Sequence, residues 1–197
     1  MNFLAHAYLS FNHPQVLIGN MISDFVKGKA QYSYPNSIQY GIKLHRAIDA
    51  FTDAHEATKT GKEIFRADYR LYSGAILDII YDFFLANDES IFDAQSLMHF
   101  TQLVYEVLEE NTFQLPSIFL VILPYMKKEN WLYHYRTNQG IERSLRGLVR
   151  RSAYLSDHQK AYDLFIKHNK ELKDCYDAFF KDVKSFAERQ FDDFFYK

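Results

Sequence analysis

The chain has 197 residues, enough for one domain with a single sizeable core. With 48% hydrophobic residues, 18 Phe and 15 Tyr it cannot be intrinsically disordered, and a formal charge of −2 gives no global pull towards nucleic acid or an anionic membrane. One cysteine, Cys175, excludes an intramolecular disulfide framework and a cysteine-based zinc site, and reads as a passive thiol.

Helices are predicted from end to end. Only 7 Gly and 4 Pro interrupt the chain, and apolar residues recur mostly at three- and four-residue spacing. Pro14 opens a helix running toward Gly28, since proline suits a first turn and glycine an end. A second helix starts at Pro35-Asn36-Ser37 and runs through about Thr52. A short helix over 62–70 leads to one over 71–86. After the loop Asn87-Asp88-Glu89-Ser90, a helix spans roughly 94–110. Pro116 and Pro124 bracket a short apolar helix, and 129–153 holds one or two more. From Asp157 onward two amphipathic helices turn Ala161, Leu164, Phe165, Leu172, Phe179, Phe180, Val183 and Phe186 inward. No run alternates well enough for a strand, and no repeat or linker divides the chain. The expectation is an all-α, single-domain helical bundle over 1–197. The start has no basic leader followed by an apolar stretch, and no window approaches 18 apolar residues, so the expected setting is the cytoplasm, off the membrane.

Against this background the His and Asp residues inside apolar helices stand out. His6 sits in NFLAHAYL and Asp24 in GNMISDFVKG. His45, Asp49 and Asp53 space through GIKLHRAIDAFTD, and Asp78 and Asp82 through AILDIIYDFFLA. Residues i and i+4 share a helix face, so His45 stacks above Asp49, Asp49 above Asp53, and Asp78 above Asp82. A lone helical carboxylate is ordinarily solvated and a lone histidine ordinarily a satisfied core residue. Asp53, close to a helix end, fits that description best. Asp78 and Asp82 fit it worst, because their neighbours are Ile76, Leu77, Ile79, Ile80, Tyr81, Phe83, Phe84 and Leu85. Buried carboxylates need a partner or a cation. Carboxylates converging with imidazoles point to a divalent metal ion of hard or borderline character.

Charge is also unevenly placed. Lys127, Lys128, Arg136, Arg143, Arg146, Arg150 and Arg151 face only Glu129 and Glu142, a net charge of +5 over 127–151. Trp131, Tyr133 and Tyr135 are interleaved, and Arg143, Arg146 and Arg150 fall at helical spacing. The segment is either a solvated helix face or a docking surface for an acidic protein or a phosphate, where arginine geometry is favourable. No nucleic-acid-binding module accompanies it.

Four ordered strings, NFLAH at 2–6, GNMISDFVKG at 19–28, GIKLHRAIDAFTD at 41–53 and LDIIYDFFLA at 77–86, resemble the acyl carrier protein phosphodiesterase family, which looks like a divergent branch of the HD-type metal phosphohydrolases. The likeness continues more weakly through LPYMKKENWLYHYRT and GIERSLRGLVRRS, covering about the first 150 residues. The resemblance implies an HD-phosphohydrolase-like bundle that removes the phosphopantetheine arm from holo-acyl carrier protein with a divalent metal. Mn²⁺ is the expected ion, with Mg²⁺ or Fe²⁺ as alternatives. Carried over position by position, Asp24, His45, Asp78 and Asp82 fall nearest the metal. His6 is a further ligand candidate, and Asp49 a ligand or a partner of one. Asp24, His45 and Asp49 are the catalytic candidates. Asn20 is placed to orient a water or a carboxylate, and Arg46 to pair with phosphate or lie on the surface. The basic segment then serves the acidic carrier. One departure is Phe83, where relatives commonly carry His after the second aspartate. The competing readings are a phosphohydrolase of a nucleotide or other small phosphate ester, and a non-catalytic protein that binds carrier proteins.

Overall fold

The computed structural model describes residues 1–196, and among these the only regular elements are helices. A short α1 (Phe3–Tyr8) is followed by α2 (Pro14–Ile22), α3 (Asn36–Ala54), α4 (Glu56–Tyr69) and α5 (Ser73–Ala86). Then come α6 (Ala94–Glu110), α7 (Ser117–Lys128), the single turn α8 (Trp131–His134), α9 (Asn138–Arg151), α10 (Gln159–Lys167) and the long α11 (Asn169–Phe195). The all-α expectation holds. No helix is long and apolar enough to cross a membrane among the described residues.

Three boundaries differ from expectation, each for a local reason. The helix opened by Pro14 stops at Ile22, and Ser23–Phe25 tightens into a 3-10 turn. Gly28 does not end that helix but starts another 3-10 segment, at a positive φ of 54°. The helix expected over 62–70 begins at Glu56, where the His55 imidazole nitrogen accepts the Ala57 N–H. Pro124 lies inside α7 rather than at its end. The N–H it lacks would have bonded back to the Leu120 carbonyl, on a side where Leu120 and Val121 are exposed.

The core is continuous. Along α11, Phe179 stacks on Tyr81 of α5 and Phe186 on Phe51 of α3. Cys175 is free and buried, and burial pushes its thiol pKa up, in keeping with a passive role. Phe83 packs edge-on against Phe165 of α10, so the position after Asp82 serves helix packing.

The contact that positions the site is the crossing of α2 and α3. A Cβ built on Gly19 would lie 2.2 Å from the Ile38 carbonyl oxygen, and one on Gly41 2.3 Å from that of Val16. The two backbones therefore touch without intervening side chains, which brings Asn20 of α2 within hydrogen-bond reach of His45 of α3.

Candidate metal centre

The donors meet where α1, α2 and α3 come together. The rings of His6 and His45 stack at 3.8 Å and 13°, both buried, and Asn20 beside them is fully enclosed. Asn20 holds both imidazoles. Its Oδ1 lies 2.9 Å from His6 Nδ1, while its Nδ2 donates to the His6 carbonyl and to Ser10 Oγ. Those two donations fix the amide orientation, so His6 Nδ1 must carry the proton it gives to Oδ1. His45 Nδ1 in turn donates to the Asn20 backbone carbonyl at 2.8 Å. Both rings consequently present Nε2 to the same space.

Asp49 fills that space. Its Oδ1 is 3.2 Å from His6 Nε2 and its Oδ2 is 3.2 Å from His45 Nε2. Asp24 Oδ1 approaches His45 Nε2 at 3.4 Å from the exposed side. Lone pairs on two imidazoles thus confront carboxylate oxygens, an arrangement that requires a cation between them. A proton meets part of the need. Burial works against the charged form of His45, but Asp24 and Asp49 outweigh it and lift its pKa to about 9. Burial, with charged His45 alongside, pushes His6 down to about 4. Burial also opposes charge on Asp49, yet the two imidazoles hold its pKa far below the carboxylate range. Asp24 is likewise held low by its bond to His45.

His6, His45 and Asp49 offer ligand atoms that all lie within 4.8 Å of one another. Imidazoles anchored at Nδ1 by carbonyl oxygens and open at Nε2 are the usual disposition of histidines that bind metal. A mixed nitrogen and oxygen set suits a borderline divalent ion. The residues present therefore fit the metal that the sequence implies, with Asp49 in the centre of the group rather than behind it.

The other predicted residues have different surroundings. The Met1 ammonium lies 3.3 Å from Asp49 Oδ1 and 3.0 Å from Asp78 Oδ1, so Asp78 stands one cation away from the group. Burial works against charge on that ammonium, but Asp78 and Asp49 outweigh it and raise its pKa to about 10. Burial raises the pKa of Asp78 against the pull of the same ammonium. Asp82 is occupied otherwise. Its Oδ2 accepts the Leu4 N–H at 2.8 Å and its Oδ1 the Ala5 N–H at 3.1 Å, so it caps α1 rather than joining the donor group. Burial nevertheless lifts its pKa to about 7. Replacing Asp82 with alanine should strand two buried N–H donors and lower stability by about 2–4 kcal/mol, measured by urea unfolding. A loss below about 0.5 kcal/mol would refute the capping role.

Arg46 clamps the segment that carries Asp24, donating to the Val26 carbonyl at 3.0 Å and to Gln31 Oε1 at 2.8 Å. Its role here is to position that loop. The basic stretch is spread over several environments. Lys127 pairs with Glu109 and Arg146 with Glu142, and Arg136 lies over the Tyr133 ring. Arg143 and Arg151, with Trp131, Phe3 and Ile79, line a cavity of about 140 Å³ beside α1.

A helical bundle with a His/Asp donor group at the meeting of three helices defines a candidate metal-binding protein. Comparison with known proteins makes the class particular. A model of the acyl carrier protein phosphodiesterase family matches residues 1–183, and the chain belongs to this family. An acyl carrier protein phosphodiesterase of Yersinia pestis is 30% identical over 191 residues, covering 96% of this chain and 99% of the relative. One of Photorhabdus laumondii is 29% identical, covering 96% of each chain. One of Escherichia coli O6:H1 is 32% identical over 166 residues, covering 83% of this chain and 86% of the relative. No solved structure matches.

Proposed function

We propose that this protein is a metal-dependent acyl carrier protein phosphodiesterase, hydrolysing the diester between 4′-phosphopantetheine and the serine of holo-acyl carrier protein. The products are the apo-carrier and 4′-phosphopantetheine. The observation that carries the reading is the convergence of His6, His45 and Asp49, within 4.8 Å, in a chain that matches the family over residues 1–183. His6 Nε2, His45 Nε2 and Asp49 would hold the ion, with Mn²⁺ first among the candidates and Mg²⁺ and Fe²⁺ after it. Asp24 borders it and Asp78 completes the acidic wall. A divalent ion so bound polarises a phosphoryl oxygen and lowers the pKa of a bound water. Asp24, ionised and open to solvent, would take a proton from the water as its oxygen bonds to phosphorus and the bond from phosphorus to the serine Oγ breaks, and that proton would return to the leaving serine oxygen. The proposal includes kinship with the HD-type phosphohydrolases, a reading supported by histidines and aspartates contributed from successive helices. Lys127, Lys128, Arg136, Arg143, Arg146, Arg150 and Arg151 meet the acidic carrier in the cytoplasm, and complementary charge speeds the encounter more than it tightens it.

The test is incubation with holo-carrier and Mn²⁺, followed by intact-mass analysis. The expected result is loss of one phosphopantetheinyl group. The Asp24→Ala variant should keep its helical circular dichroism and lose turnover by about 10²–10⁴-fold, the range of proton-transfer assistance. An unchanged carrier mass with wild-type protein, or full activity of Asp24→Ala with metal bound, would overturn the assignment.

A further inference from the structure

The corner between α4 and α5 carries a feature that the hydrolytic site does not use. Arg70 ends α4 with φ 45° and ψ −116°, a backbone conformation that glycine adopts freely and an L-residue adopts only under strain. Nothing in the side chain's surroundings repays this. The Arg70 guanidinium makes no hydrogen bond or ion pair among the described residues, whereas its neighbours Lys62 and Arg66 are committed to Asp53 and Glu63. The next residue, Leu71, is 98% exposed, the most exposed large apolar side chain among the described residues. The corner is the rim of an open cleft of about 590 Å³ lined by Asp53, Lys62, Arg66, Arg70, Leu71 and Asp78. Asp78 connects this cleft to the donor group, since it and Asp49 share the Met1 ammonium. The first turns of α5 therefore divide two cationic rims: Asp78 faces the cleft of Arg70, and Ile79 faces the cavity of Arg143 and Arg151.

We propose that the α4–α5 corner is a docking point for the acidic carrier protein, with Arg70 receiving a surface carboxylate of the carrier and Leu71 an adjoining apolar patch. This inference rests on the functional reading above. A planar guanidinium with no anionic partner among the described residues is set to take a carboxylate through two parallel N–H···O bonds. A fully exposed leucine beside it loses water only when a partner covers it. The strained backbone is then explained, because it turns both side chains outward at the edge of the cleft whose inner wall is Asp78, one ammonium away from Asp49. An acidic partner seated there lies against the face of α5 that carries Asp78. It also spans α5 to the basic rim on α9.

Arg70→Gly separates docking from folding, because glycine relieves the backbone while deleting the guanidinium. The metal-free full-length protein is titrated with apo-carrier, which has no phosphopantetheine and so reads docking alone. Arg70→Gly and Leu71→Ser should each weaken Kd tenfold or more. Arg70→Gly should melt no lower than wild type, and its binding should depend less on salt. Arg70→Gly binding apo-carrier within twofold of wild type would overturn the proposal. So would competition by free 4′-phosphopantetheine that disappears in Arg70→Gly, since Arg70 would then be a phosphate ligand. Failure of wild-type protein to remove phosphopantetheine from holo-carrier defeats the functional reading. Wild-type turnover combined with undiminished Arg70→Gly binding defeats the docking point alone.

Discussion

Replacing Asp49 with alanine should weaken divalent-metal binding on the order of 100-fold or more and abolish hydrolysis of holo-carrier, while leaving a folded helical protein. Asp49 is the residue whose two oxygens address both imidazoles, so its loss removes one ligand and the group that balances the others. Loss of a residue that merely orients a metal ligand already costs about 10–100-fold in affinity, and a direct ligand stands above that range. A second measurement needs no catalysis. His45 is raised to about 9 by Asp24 and Asp49 acting against burial, so in metal-free Asp49→Ala its pKa should fall, observable by NMR titration. In wild-type protein the raised pKa is also a stability term. It is fully present below pH 6.5, the ordinary histidine value, and is lost as pH rises through about 9. Metal must displace that proton, because His6, lowered to about 4, is already neutral at pH 7. Affinity should therefore climb with pH up to about 9, with release of one proton per ion from His45. Metal binding by Asp49→Ala at wild-type strength, or wild-type binding that is flat between pH 6.5 and 9, would contradict the assignment.

Much of this architecture is legible in the residues, and what is hidden is hidden for physical reasons. Helical periodicity marks α3, α5 and α6 well, because each buries one face along most of its length. Helix ends are read less well where tertiary contacts override local punctuation. Gly28 and Pro124 look like stops, yet the clamp of Arg46 on Val26 shapes the first segment and solvent exposure lets α7 continue through the second. The pairing of His45 with Asp49 follows from i,i+4 spacing and is found at sight. The joining of His6 to Asn20 depends on how α1 lies against α2, and no local pattern encodes it. The resemblance puts Asn20 beside the donors to orient a water or a carboxylate, but only the fold shows that its Oδ1 and its backbone carbonyl orient two imidazoles. Asp82 makes the same point differently. A buried aspartate in an apolar helix has one sequence signature whether it binds an ion or caps a neighbouring helix, and here its oxygens meet the Leu4 and Ala5 amides. The strain at Arg70 leaves no trace in composition or spacing.

A large effect on both fold and site is expected from adding a single methyl group at the α2–α3 crossing. Gly19→Ala places a Cβ 2.2 Å from the Ile38 carbonyl oxygen and 2.8 Å from Gly41 Cα, and Gly41→Ala places one 2.3 Å from the Val16 carbonyl oxygen. All three obstacles are backbone, so no rotamer change relieves the overlap, and the helices must separate. Overpacking that forces backbone shifts costs about 1–3 kcal/mol and at times more. With rigid backbone on both sides, each variant should lose at least about 3 kcal/mol, a large share of the total stability of a domain. Gly61→Ala is the comparison, because its Cβ would meet only the Leu77 side chain, at 3.1 Å, which has room to adjust. The site should fail together with the fold. Moving α2 off α3 stretches the 2.8 Å bond from His45 Nδ1 to the Asn20 carbonyl, freeing the imidazole that Asn20 orients. Urea unfolding and metal titration of Gly19→Ala should therefore decline in parallel, whereas Gly61→Ala should retain metal affinity. A Gly19→Ala protein within about 1 kcal/mol of wild type would mean that the crossing is looser than its geometry indicates. Full metal affinity in a clearly destabilised Gly19→Ala would show instead that Asn20 and His45 keep their register independently of how closely α2 and α3 approach.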